Sequence, residues 1–214
     1  MKEIAPPKWG GLAHRYKVNR LSALRFVDPV TGRNHELPLD HIYESWLVHR
    51  FDARVVSLEL GDGKVIREAD GVLIKANVHL DIRYASGARA LEFVGRNRVP
   101  DSFKKALAAL AETNGARSII TLRHDLRSES VLVANLRKLR QRMQMNNLAH
   151  ADAAIRQRLQ EVGTSTRGDF AELAPSYPIA YIDAFLGFMH CKGVIQLQLD
   201  GAPYGRETRF VYER

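Results

Sequence analysis

Apolar and polar residues alternate along LSALRFVD (21–28), the spacing of a half-buried strand. Pro29, Thr31-Gly32 and Asn34 then form a turn before a short extended piece, HELPLD. From His41 to about Phe51 the period changes. Ile42, Trp46, Leu47 and Phe51 recur at helical intervals behind Asp40, a good N-cap. Strand patterns follow. ARVVSLEL (53–60) is closed by Gly61-Asp62-Gly63, which reads as a hairpin turn with KVIRE returning along it. GVLIKANVHLDIRYA (71–85) is long enough for one bent strand or two short ones, and ARALEFVG (88–95) returns after Ser86-Gly87. Pro100-Asp101 opens a helix with Phe103, Ala106, Leu107, Leu110 and Ala111 on one face, and Gly115 ends it. RSIITLR (117–123) is a buried-type strand, and 128–145 is a second helix with Val131, Leu132, Leu136, Leu139 and Met143 inward. This order predicts an α/β fold, a mixed sheet flanked by helices.

The pattern shifts near Asn146-Asn147. A helix over 148–162, a turn at 163–166 and a short helix in GDFAELA come first. A strongly apolar helix then runs from Pro178 to Lys192-Gly193, and VIQLQLD and RETRFVYE alternate on either side of GAPYG. Three helices and a hairpin make a winged-helix pattern. The expected division is therefore a domain over 1–147 and a small winged-helix domain over 148–214. The first 17 residues, with Pro6-Pro7 and Gly10-Gly11 and no period, read as an extended arm.

Composition narrows the class. Hydrophobic residues are 45% and charged residues 26%, so a packed core is available. No apolar run reaches the roughly 18–20 residues that span a bilayer, and the N-terminus lacks the apolar core of a secretory signal. The single Cys191 excludes an intramolecular disulfide and a cysteine-based zinc cluster. A bacterial cytoplasmic location is the expectation. The 32 Lys and Arg outweigh 24 Asp and Glu, a net +8, which points to an anionic partner, most commonly nucleic acid.

Candidate chemistry lies in HLDIRYASGARALEFVGRN. Asp81 and Glu92 fall on two strands joined by a turn, where paired carboxylates can meet as hard oxygen ligands for Mg²⁺ (or Mn²⁺). Such a metal can activate water for phosphoryl displacement. Glu44, on the preceding helix, is a third acid within reach of such a site. The competing reading is that these are ordinary strand residues facing solvent.

A helical acid, then Asp on one strand, then Glu on the next resembles the PD-(D/E)XK, or restriction-endonuclease-like, nuclease fold. TGRNHELPLDHIYES, FDARVVSLE and NVHLDIRYASGARALEFVG, with the C-terminal winged-helix pattern, resemble more closely the TnsA-type endonuclease subunit of heteromeric transposases. The likeness spans most of 20–214 as a diffuse pattern. It implies that Glu44, Asp81 and Glu92 are catalytic, metal-binding acids. It also implies 5′-strand cleavage at transposon ends on double-stranded DNA, alongside a DDE-type transposase and an AAA+ ATPase regulator. One departure stands out: Val94 occupies the position of the family's lysine. Either the basic role has moved to Lys75, Arg96 or Arg98, or cleavage has been lost and a DNA-binding or assembly role kept. Lys75 is the better substitute, because arginine stays protonated and cannot act as a base. A stand-alone restriction or repair nuclease is a third reading.

Basic positions complete the picture. Arg137, Lys138, Arg140 and Arg142 form the densest cluster, expected on the outer face of their helix for phosphate contact. Arg96, Arg98, Arg123 and Arg127 follow strand ends near the expected site. The helix over 179–192 carries no Arg and makes a poor major-groove reader, which favours protein contact for the second domain.

Overall fold

A computed structural model describes residues 24–37, 39–69 and 72–213, with side chains described for all of these except 62–69 and 72–77. The expected N-terminal arm lies outside the described residues. The chain is mixed α/β and divides into two compact units.

The first unit takes in 35–49 and 54–128. The chain enters through a two-stranded sheet of β1 (Leu24–Val27) and β2 (Asn34–Leu37). Helix α1 (Asp40–Arg50) follows. The main sheet has β3 (Val55–Ala69), β4 (Val72–Tyr84), β5 (Arg89–Gly95) and β6 (Arg117–Leu122) in that spatial order. The first three strands form an antiparallel meander, and β6 lies parallel to β5. A parallel neighbour needs a crossover, supplied by α2 (Asp101–Thr113).

The expected hairpin at Gly61-Asp62-Gly63 is not formed, because β3 runs straight through it. The register jumps there: Leu60 pairs with Leu80 and Gly63 with Val78, so two β3 residues face the single His79. That is a bulge, the other common meaning of glycine inside a strand pattern. Gly61 is required by close approach, since a Cβ would lie 2.6 Å from Val78 Cγ1 and from its carbonyl oxygen.

One face of the sheet is covered by α2. Leu107, Leu110 and Ala111 pack with Val78 and Leu91, flanked by Phe93, Phe103 and Ile120. Gly115, at φ 62°, ends α2 as its position predicts. Around α1, Trp46 is fully buried among Phe26, His35 and Tyr43, with ring centroids 4.6–6.3 Å away.

The second unit comprises 27–34, 50–53 and 129–214. The contact division thus falls at 128/129 rather than near 147, and the long helix α4 (Ser130–Met145) belongs with the C-terminal elements. A short helix α3 (Arg123–Ser128), not foreseen from the spacing, precedes it. The physical reason is packing: α4 lies against α7 (Ile179–Cys191), and Gly187 lets Met143 and Leu139 approach. Every residue of α7 from Ile182 to Met189 is buried, as in a helix apolar all round.

Between them come a 3₁₀ turn (Ala149–Ala151), α5 (Ala153–Val162), β7 (Ser165–Thr166) and α6 (Arg167–Leu173). Asp152 interrupts the helix expected over 148–162 by capping α5, accepting from the N–H groups of Ala154 and Ile155. The strands β8 (Ile195–Leu197) and β9 (Arg209–Tyr212) form an antiparallel pair with β7 on the other side of β9.

The basic cluster on α4 is not simply an outward face. Lys138 Nζ donates to the carbonyl of Tyr204 at 2.9 Å and lies 5.5 Å from that ring. Arg142 Nε stands 3.9 Å from the buried Asp183, which also accepts from Arg167 and the Tyr204 hydroxyl. Arg137 is exposed, and Arg140 donates to Gln144. Lys138 and Arg142 thus hold the 199–205 loop and the core polar network together. Among the described residues, no helix is long and apolar enough to cross a membrane.

Asn135 is the pin of that loop. Its side-chain amide donates to the carbonyls of Leu199 and Ala202 at 2.7 and 2.8 Å, and its oxygen accepts from Tyr204 N–H at 2.7 Å. Replacing it with leucine strands two buried polar groups and a part-buried one, so Asn135→Leu is expected to destabilise the protein by about 3 kcal/mol. Urea unfolding will show this as a lower midpoint, and an unchanged midpoint would contradict the role given to Asn135.

Candidate functional site

Glu92 sits on β5, an interior strand, with no exposed surface. Its carboxylate is held on every side. The Ser45 hydroxyl lies 2.9 and 3.0 Å from its two oxygens, His49 Nε2 lies 3.0 Å from Oε2, and the Thr121 hydroxyl donates to Oε1. Ser45 and His49 are one helical turn apart on α1, so a single stripe of that helix faces the acid. Thr121 comes from β6, on the same side of the sheet.

Asp81 does not join it. In the β4–β5 register, Leu80 pairs with Glu92 and Asp81 with Leu91. Opposed residues share a face and successive residues alternate. Asp81 therefore lies on the face of Leu91, away from α1. Arg89 holds it there through a two-pronged pair, Nε to Oδ1 at 2.9 Å and Nη2 to Oδ2. The expectation that two hairpin carboxylates meet fails by one residue of register.

Glu44 misses as well. It is half-buried on α1, but the helix turns roughly 100° per residue, so Glu44 points away from the stripe that Ser45 and His49 present. Lys75 is paired with Ile66 in the β3–β4 ladder, and its side chain lies outside the described residues. Val94 is buried, so a hydrocarbon group stands where the resemblance calls for lysine.

Hard divalent cations need several open oxygen ligands. Glu92 has both oxygens engaged, Asp81 is on the other face and Glu44 is elsewhere on its helix. Among the described residues, no three His, Cys, Asp or Glu side chains are gathered so as to hold a metal ion. The residues present do not fit the expected Mg²⁺ centre.

Histidines, which sequence reasoning passed over for want of a metal spacing, fill the space instead. His79, at the β3 bulge, accepts the Val94 N–H on Nδ1 at 2.9 Å and stacks on Phe93 at 5.1 Å between centroids. Nδ1 must be unprotonated to accept, so the neutral ring carries its proton on Nε2. Burial is the main force pushing the His79 pKa down to about 4; nearby His41 acts the same way and Glu92 opposes both. His41, 3% exposed in the first turn of α1, is also pushed below the ordinary imidazole range. Its causes are burial first, then the positive charges of Arg96 and Arg123, with Asp40 opposing. The i, i+4, i+8 run of His41, Ser45 and His49 was the available sequence signal.

Of the expected DNA contacts, Arg96 and Arg123 both act electrostatically on His41. Gly95 pairs with Leu122 at the end of the parallel ladder, and each is followed by an arginine just beyond its strand. Arg98 and Arg127 are exposed nearby in sequence. Compared with protein-family models and with curated proteins, the chain matches none.

Two outcomes follow from this geometry. Ser45→Ala removes a hydrogen bond to a buried carboxylate and is expected to cost about 2 kcal/mol in urea unfolding at pH 7. An effect below about 0.5 kcal/mol would mean that Glu92 is satisfied without Ser45. The His79 shift has a pH signature. Its folded pKa is depressed, so stability is complete above about 6.5 and is lost as pH falls towards 4. The loss attributable to His79 reaches up to about 3 kcal/mol. Midpoints of wild type and His79→Gln measured from pH 7.5 to 4.5 should diverge, with the variant falling less. Parallel curves would remove His79 from the account.

Proposed function

We propose that the chain is a TnsA-type subunit of a multi-subunit DNA transposition system, in a form that binds DNA and partners without cutting. It keeps a restriction-endonuclease-like frame and a winged-helix second unit. Its partners are then transposon-end duplex DNA, a DDE-type transposase and an AAA+ ATPase regulator.

Support for the frame comes from order and placement. A helix, a three-stranded antiparallel meander, a helix and a parallel fourth strand set α1 over the Glu92 strand. These are the elements on which the resemblance places its acids. In the second unit, helix, strand, two helices and a hairpin, with sheet order β7-β9-β8, support the winged-helix reading. The burial of α7 leaves that helix little surface for groove reading.

The observation that carries the non-cutting form is the split of Asp81 and Glu92 between opposite faces of the sheet. With Glu92 saturated by hydroxyls and imidazole and Val94 in place of lysine, nothing positions a metal-bound water against phosphorus. What stays suited to DNA is charge: net +8 and arginines at the strand ends. Each phosphate neutralised adds about 0.9 to the slope of log affinity against log salt, so a steep slope is expected.

The test is transposon excision in cells that carry the partner genes, with Asp81→Ala and Lys75→Ala introduced singly. Excision at wild-type level in both, with salt-dependent duplex binding by the purified protein, is the expected result. Excision reduced a hundredfold or more by Asp81→Ala, with duplex binding unchanged, would restore the cutting form. Absence of duplex binding would end the DNA reading.

A further inference from the structure

We infer that His41, Arg96 and Arg123 form an anion subsite at the carboxyl ends of β5 and β6 that takes a phosphodiester oxygen of the DNA backbone. The inference deepens the DNA-binding reading and rests on it for the ligand's identity.

Three observations converge. First, the parallel ladder ends at the Gly95–Leu122 pair, and Arg96 and Arg123 are the residues that directly follow it, Arg123 as the first residue of α3. Both side chains are exposed. Two guanidinium groups at one sheet end attract an anion, and their planar forks suit a tetrahedral oxyanion.

Second, His41 is nine-tenths buried, yet no hydrogen bond joins either ring nitrogen to a described residue. Neither ring nitrogen is a fully enclosed orphan, so the ring stays reachable from solvent. His49, two turns further along the same stripe, has one in Glu92. The charges of Arg96 and Arg123 both act on His41, which puts the three side chains in one electrostatic neighbourhood. A neutral imidazole can donate one hydrogen bond there.

Third, His41 lies in the first turn of an 11-residue helix, whose N-terminal N–H groups add positive potential. The remaining charged and titratable groups near His41 are few. Asp40 precedes it on α1, His79 stands on β4 next to Glu92, and Asp125 on α3 accepts the Leu122 N–H beside Arg123. The arginines sit on the solvent side and the carboxylate on the buried side. The subsite therefore opens to an external anion, with Glu92 occupied below it.

The test uses the full chain with two probes, sulfate and a 20-base-pair duplex. Histidine-labelled protein reports the His41 ring resonances by NMR. The expected result is that both probes move the His41 signals and leave those of His150 in place. Arg96→Ala/Arg123→Ala should abolish the sulfate response and weaken duplex binding at least tenfold at constant salt. Arg98→Ala/Arg127→Ala removes the same charge from exposed sites and should weaken binding no more than threefold. His41→Phe removes the donor without a change of charge at pH 8 and should weaken duplex binding severalfold. Circular dichroism confirms that each variant is folded. Equal losses in the two arginine pairs, with His41 unmoved by either probe, would overturn the subsite while leaving DNA binding standing. A sulfate response without duplex binding would make this a free-oxyanion site, overturning both the DNA ligand and the reading beneath it.

Discussion

A carboxyl group with no exposed surface, on an interior strand, obliges the structure around it to supply partners. Burying such a group without hydrogen bonds costs several kcal/mol. Glu92 receives them from α1 through Ser45 and His49 and from β6 through Thr121. One side chain thus ties a helix and the parallel strand to the middle of the sheet. It also fixes the rotation of α1, because only the stripe through residues 41, 45 and 49 can face it. Trp46, one residue off that stripe, is then directed into the aromatic cluster with Phe26 and Tyr43. The rotation that satisfies Glu92 turns Glu44 away and sets His41 at the end of the sheet.

The same acid determines what the site can do. A carboxylate that serves as a metal ligand needs open lone pairs and a second acid beside it. Glu92 has its oxygens engaged, and the two-residue period of the strand sends Asp81 to the α2 face, where Arg89 claims it. The pleat makes this an all-or-none matter: one residue of slip in β4 would put Asp81 beside Glu92 and Leu80 on the other face. The bulge opposite His79 lies next to this point and shifts β3 against β4 by one residue. The departure at Val94, visible in the sequence, and the phase of Asp81, visible only in the register, point the same way.

Much of the fold was legible from spacing. The apolar stripe of α2, its stop at Gly115, the strand over 117–122 and the apolar α7 are all where their periods place them. These elements are set by local pattern and burial. The failures are of other kinds. Gly61-Asp62-Gly63 suits a hairpin turn and a bulge equally well, and only the partner strand decides. The division near 147 follows a change in composition, whereas the packing of Met143 and Leu139 against Gly187 groups α4 with the later helices. For the site, the acids were paired by sequence proximity. Cross-strand phase and helix rotation are tertiary facts, and no single-sequence pattern encodes them. The polar run of His41, Ser45 and His49 was readable, though histidine without a metal spacing ordinarily means core packing.

The arginines separate by what lies opposite them. Arg89 meets Asp81, Arg50 meets Asp28, and Arg167 meets Asp183, each a close ion pair to a buried or half-buried acid. Those cations are spent inside the fold, and Lys138 and Arg142, from the densest basic stretch of the sequence, are partly spent in the same way. Local density of Lys and Arg is therefore a poor guide to the surface that meets a polyanion. A better one is where acids are absent within reach of adjacent strand ends. Arg96 and Arg123 follow paired strand ends, and the nearest buried acid, Glu92, is already bound by Ser45, His49 and Thr121. A net charge of +8 thus resolves into structural pairs and a smaller outward set, and only the second can contribute to binding.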